Sequence, residues 1–100
     1  MLNVVLTVLV TSHSEEATID VLMDQELERG FSTSPAYLHG SDVDSLTPEE
    51  LVLGKQEAIR FDVVLPYEKL QPVLSALRAH LARSGARFWV TPAQEQGEFL

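Results

Sequence analysis

Apolar residues fall into alternating and helical patterns along this chain. Leu2 to Thr11 is nearly continuous Val and Leu with β-branched residues throughout, the signature of a buried strand. From Ser14 the period changes. A small polar cap is followed by Glu15 and Glu16, then Ile19, Leu22, Met23 and Leu27 share one face of a helix running to about Arg29, with Gly30 as its stop. Phe31 to His39 reads as a second strand. Pro35 inside it has no amide to give a ladder, which assigns that strand to a sheet edge.

Gln56 to Leu65 is the third strand, with Ile59, Phe61, Val63 and Leu65 on its core side. Tyr67 to Arg83 carries Leu70, Val73, Leu74, Leu77 and Leu81 at helical spacing. Gly85 then turns the chain into a fourth strand, Ala86 to Thr91, which Pro92 is expected to end. Between strands two and three, Thr47, Pro48 and Glu50 spell a cap, a first-turn proline and a capping-box acid. They predict a short helix over Pro48 to Leu53, closed by Gly54. The order βαββαβ predicts an α+β, ferredoxin-like domain over residues 1–100, a four-stranded antiparallel sheet with both helices on one face. The second strand is an edge in that layout, in agreement with Pro35.

Helices on one face leave the other open. By alternation it carries Val5, Thr7 and Leu9 on the first strand, Arg60, Asp62 and Val64 on the third, and Arg87 and Trp89 on the fourth. A tryptophan among aliphatic residues and a few paired charges suits a subunit contact better than water. Thr7, Arg60, Asp62, Arg87 and Trp89 are therefore the expected oligomer interface; a single exposed Trp with a surface ion pair is the plainer alternative.

Composition narrows the functions. Apolar residues make up 45% of the chain and charged ones 22%, as in folded proteins. A net charge of −8, with seven scattered basic residues, argues against nucleic acid, which needs clustered Lys and Arg. There is no cysteine, hence no disulfide, thiolate site or thiol nucleophile. The apolar start lacks the basic flank of a signal peptide and falls short of the ~20 residues that span a bilayer, so a cytoplasmic protein is expected.

Candidate chemistry is sparse. None of the histidines, His13, His39 and His80, sits in a recognisable nucleophile elbow. His39 with Asp42 and Asp44 offers imidazole and carboxylates within one loop, a donor set suited to a divalent transition metal; solvated loop charges give the same letters. Glu16, Asp20, Asp24 and Glu28 recur every four residues, reading as a solvated helix face or a docking stripe for a basic partner. The turn "ARSGARF" sets Arg83 and Arg87 about one glycine, a weak phosphate signal.

Several of these stretches together resemble a known superfamily. Gly30-Phe31, His39-Gly40, "EELVLGKQ" from Glu49 to Gln56, Phe61, and "FWVTP" from Phe88 to Pro92 are similar to motifs of the PII-like proteins. More narrowly they resemble a small PII-like family often encoded beside heavy-metal efflux pumps. The resemblance implies a homotrimer whose sheets face inward, and a T-loop, here residues 41–56, that contacts a membrane transporter or efflux pump. It places His39, Gly40, Lys55 and Gln56 near an inter-subunit ligand cleft, with Arg83 and Arg87 in the shortened phosphate loop "RSGAR". That shortening argues against ATP, and no Tyr lies between Ser41 and Gln56 for modification. A non-enzymatic trimeric regulator of a transporter, binding a metal ion or small anion, is the reading that follows. Its rival is a dimeric α+β-barrel enzyme with an apolar pocket between sheet and helices.

Overall fold

Val4, Leu6, Val8 and Val10 are buried along β1 (Asn3–Thr11) and turn one face of that strand toward the helices. Phe61, Val63 and Leu65 do the same on β3 (Gln56–Pro66), whose register sets Leu65, Val63 and Phe61 opposite Val4, Leu6 and Val8. The computed structural model describes residues 2–40 and 43–100. Its other elements are α1 (Glu15–Met23), β2 (Ser32–Leu38), α2 (Pro48–Leu53), α3 (Leu70–Leu81) and β4 (Arg87–Ala93). The sheet order is β2-β3-β1-β4, with every neighbouring pair antiparallel. This is the ferredoxin-like α+β arrangement that the element order predicts. Pro35 lies on an edge strand, as expected.

Two helices close the core from one side. Leu70, Val73, Leu74, Leu77 and Leu81 of α3 are all buried, the stripe read from their spacing, and Val21 and Leu22 of α1 join them. At ~1.5–3 kcal/mol for each large aliphatic side chain buried, this stripe is a principal stabiliser of the fold. Among the described residues no helix is long and apolar enough to cross a membrane.

The ends of α1 and β4 and the cap at Ser14 differ from expectation. α1 stops at Met23, not near Arg29, and Met23 itself is 67% exposed; the buried side is Thr18, Val21 and Leu22. Acids at four-residue intervals with no Lys between them repel, and the last turn has no basic residue to meet the negative helix end. The chain therefore leaves the helix through Asp24, and Glu26 adopts a left-handed φ of 51°. In consequence Glu16, Asp20, Asp24 and Glu28 do not share one helical face, while Leu27 and Phe31 still pack on the core from the connecting segment. Ser14 precedes the helix without a side-chain cap; its carbonyl accepts from Thr18 Oγ1 at 2.7 Å. β4, finally, continues through Pro92 to Ala93. As the outer strand beyond β1 it has a side that needs no ladder donor, so proline is tolerated.

Candidate functional site

The ladders gather the predicted ligand residues at one end of the sheet. Leu38 pairs with Gln56, so His39 and Gly40 leave β2 where Lys55 and Gln56 enter β3. Arg87 opens β4 opposite Leu9, near the same end of β1 where Thr11 leads toward α1. Arg83, with a left-handed φ of 65°, belongs to the turn that feeds it. Within one chain, however, the two groups occupy opposite edges. β2 and β4 are three strand spacings apart, ~14 Å at ~4.8 Å each, too far for one small ligand to touch both.

Two of these residues make local contacts. The Lys55 ammonium lies 4.1 Å from the centroid of the Tyr37 ring, and Gln56 Nε2 donates to the Ser45 carbonyl at 3.2 Å. His39 is exposed just past β2, and Asp44 is exposed in a 3₁₀ turn at Val43–Ser45. Asp42 lies outside the described residues, and no group of three His, Asp or Glu side chains poised for a metal occurs among those described.

The arm between β2 and β3 is built around α2, whose start and stop are those expected. Thr47 N donates to Glu50 Oε1 at 2.9 Å, Glu50 N donates to Thr47 Oγ1 at 3.2 Å, and Gly54 closes the helix in the left-handed region. Glu50 does more than complete the box. Its Oε2 accepts from Glu57 N at 2.9 Å, tying the arm to the first residues of β3. The two backbone amides, of Thr47 and then Glu57, hold its carboxyl below the ordinary range, with smaller help from the Thr47 hydroxyl and the charge of His13, against a slight opposing effect of burial. A cleft of about 220 Å³ separates this arm from the β1–α1 turn, with His13, Glu49 and Glu50 on its walls. No sequence pattern announces the contact with Glu57, seven residues from Glu50 and across a turn. α2 meanwhile leaves Leu51, Val52 and Leu53 exposed, Val52 at 87%.

The open sheet face is organised around a buried hydroxyl. Thr7, 2% exposed at the middle of β1, donates through Oγ1 to Asp62 Oδ1 at 2.7 Å. Arg60 clasps the same carboxylate through Nε at 2.9 Å and a second nitrogen at 3.3 Å. Burial works against ionising Asp62, but the hydrogen bonds from Arg60 and Thr7 and the guanidinium charge outweigh it and hold the carboxyl below its usual value. The Arg60 guanidinium stands 6.0 Å from the Trp89 ring centroid, and Trp89 is opposite Thr7 in the ladder. Trp89 is 42% exposed, and Val5, Leu9 and Val64 on the same face are half-buried. Thr7, Arg60, Asp62 and Trp89 are thus one connected patch, and Arg87 shares its face two residues before Trp89 on β4.

A family model described as "Protein of unknown function (DUF3240)" matches residues 1–100. The chain belongs to the DUF3240 family. A DUF3240 family protein from Shewanella baltica OS155 superposes with a TM-score of 0.80 at 18% identity, over 98% of this chain and 97% of that one. CPII, a nitrogen regulatory PII-like protein from Thiomonas intermedia K12 whose structure contains ADP, AMP and bicarbonate, superposes with a TM-score of 0.75 at 15% identity, over 100% and 98% of the two chains. A Bacillus cereus protein related to NIF3 matches 97% of this chain with only 26% of its own, at a TM-score of 0.70 and 16% identity. No curated protein matches the chain. The DUF3240 chain therefore has the PII-like fold, as the motif resemblance implies.

Proposed function

We propose that this DUF3240 chain is a non-enzymatic, homotrimeric PII-like regulator of the cytoplasm. Its arm, residues 41–56, reports the binding of a small ligand at inter-subunit clefts to a membrane transporter, such as a heavy-metal efflux pump. The observation that carries the reading is the open sheet face. A half-exposed Trp89 beside a preformed Thr7–Asp62–Arg60 network is a surface already desolvated in part and suited to a second copy. Assembly through that face also offers a way to bring His39, Gly40, Lys55 and Gln56 of one chain toward Arg83 and Arg87 of another, which a single chain holds at opposite edges. The ligand is a small anion recognised by the arginines, or a divalent transition metal with His39, Asp42 and Asp44 as donors. The exposed Leu51, Val52 and Leu53, flanked by Glu49 and Glu50, give the arm an apolar tip with an acidic border, fitted to a basic-rimmed groove on a partner.

Native mass spectrometry tests this directly. The purified chain is titrated with zinc, copper and nickel, then with AMP, ADP and ATP. A trimer that takes up three metal ions or three nucleotides supports the regulator. A dimer that binds none of them overturns it and favours the dimeric α+β-barrel enzyme.

A further inference from the structure

A second cleft, of about 220 Å³, opens on the helix side of the sheet, between the C-terminal half of α3 and the start of β4. It exists because the turn there is lined by residues too small to fill it, Ala82, Gly85 and Ala86. Val8, Leu74, Leu77 and Leu81 form an apolar floor. Phe88 stands at the side of this floor. It pairs with Val8 and so faces the helices, yet 51% of it is exposed, because α3 does not reach over the edge strand. An aromatic ring turned toward the core and left uncovered is a vacancy in the packing, not a surface residue that drifted outward.

The charges at this cleft run against those of the chain. The protein has 15 acids and seven basic residues, but the lining has no acid and includes Arg78, Arg83 and, at the margin where β4 starts on the open-face register, Arg87. Among the described residues the ion pairs are Arg29 with Glu98 and Arg60 with Asp62, so none of these three guanidinium groups is engaged in one. An apolar slot with an arginine rim matches a ligand that is hydrocarbon at one end and a planar anion at the other, because the guanidinium fork grips a carboxylate through two parallel bonds. A nucleotide fits less well: its ribose and base edges would lie unpaired against the aliphatic floor.

We propose that this cleft binds a small amphiphilic carboxylate, its hydrocarbon body on Val8, Leu74, Leu77 and Leu81 beneath Phe88 and its carboxylate held by Arg78 and Arg83. The volume is below the ~300–1,000 Å³ of common ligand pockets, which limits the body to a short chain, on the order of eight carbons. The site lies within a single chain and on the opposite side of the sheet from Trp89, so it stands whether or not the trimer does.

The test is a titration of the full chain with octanoate below its self-association concentration, followed by calorimetry and by backbone and methyl NMR. Octanoate is expected to bind with shifts confined to the residues that line the cleft, Val8, Arg78 and Arg83 among them. Hexanoate should bind about fifteenfold more weakly, about fourfold for each methylene lost. The exposed double variant Arg78→Glu with Arg83→Glu should lose at least tenfold in affinity while its circular dichroism is unchanged, and Phe88→Ala should also weaken binding. Absence of binding, shifts located elsewhere, octanol binding as tightly as octanoate, or affinity unmoved by the charge reversal would each overturn the proposal.

Discussion

Replacing Trp89 by alanine measures whether the open sheet face is an interface. Trp89 is 42% exposed in the isolated chain. A tryptophan offers up to ~250 Å², so ~100 Å² of it remains to be buried on assembly. At ~25 cal/mol per Å² that is ~2.5 kcal/mol for each chain, or ~7.5 kcal/mol for a trimer in which all three rings are covered. A trimer's dissociation constant scales with the square of concentration, so the midpoint of dissociation should rise by roughly 500-fold at ~1.4 kcal/mol per decade. Sedimentation velocity over a dilution series from micromolar to nanomolar reads that midpoint. Phe88→Ser, which removes an exposed aromatic from the opposite side of the same strand, is the control and should leave it in place. Equal midpoints for the wild type and Trp89→Ala would refute the argument that this face is what the subunits bury.

Three further outcomes are expected. The carboxyl of Asp62 is held below its ordinary value, so its contribution is fully present above the unfolded pKa of ~4 and disappears as pH falls through the lower folded value. Asp62→Asn should therefore lower the urea midpoint at pH 7 and flatten its decline toward pH 3; a decline as steep as the wild type's would place the acid sensitivity elsewhere. Glu50→Gln should speed amide exchange at Thr47 and Glu57 together while leaving the global unfolding midpoint nearly unchanged, since both amides rest on that one carboxylate. His39→Ala should weaken zinc, copper or nickel binding by tenfold or more, equivalent to ~1.4 kcal/mol; unchanged calorimetry would clear His39 of a ligand role.

What the sequence discloses here follows how local the cause is. α2 was legible to the residue because everything that makes it lies within a few positions: the Thr47–Glu50 box, Pro48 and Gly54. The α3 stripe was legible for the same reason, since a helix seam is written at fixed intervals. Apolar spacing alone makes α1 too long because it takes no account of the acids interleaved with it, whose repulsion favours the end at Met23. The open face could be assigned from alternation once the topology was chosen, and with it Thr7, Asp62 and Trp89. The cleft beneath Phe88 could not, because it depends on where α3 lies over the sheet, a tertiary relation with no sequence period. Nor could the second bond of Glu50, which spans the turn into β3.

Thr7 carries a consequence for how the sheet finds its alignment. β1 is apolar at almost every position, so its two sides are nearly equivalent to the hydrophobic effect, and a slip of one residue would exchange them at little cost in burial. The hydroxyl removes that degeneracy. Slipped by one, Thr7 would face the aliphatic layer under the helices with no acceptor; slipped by two, it would stand opposite Val64 or Arg60 in place of Asp62. Only the observed pairing gives the 2.7 Å bond. A single threonine at the centre of an inner strand thus tells the chain which side of its own sheet is the inside.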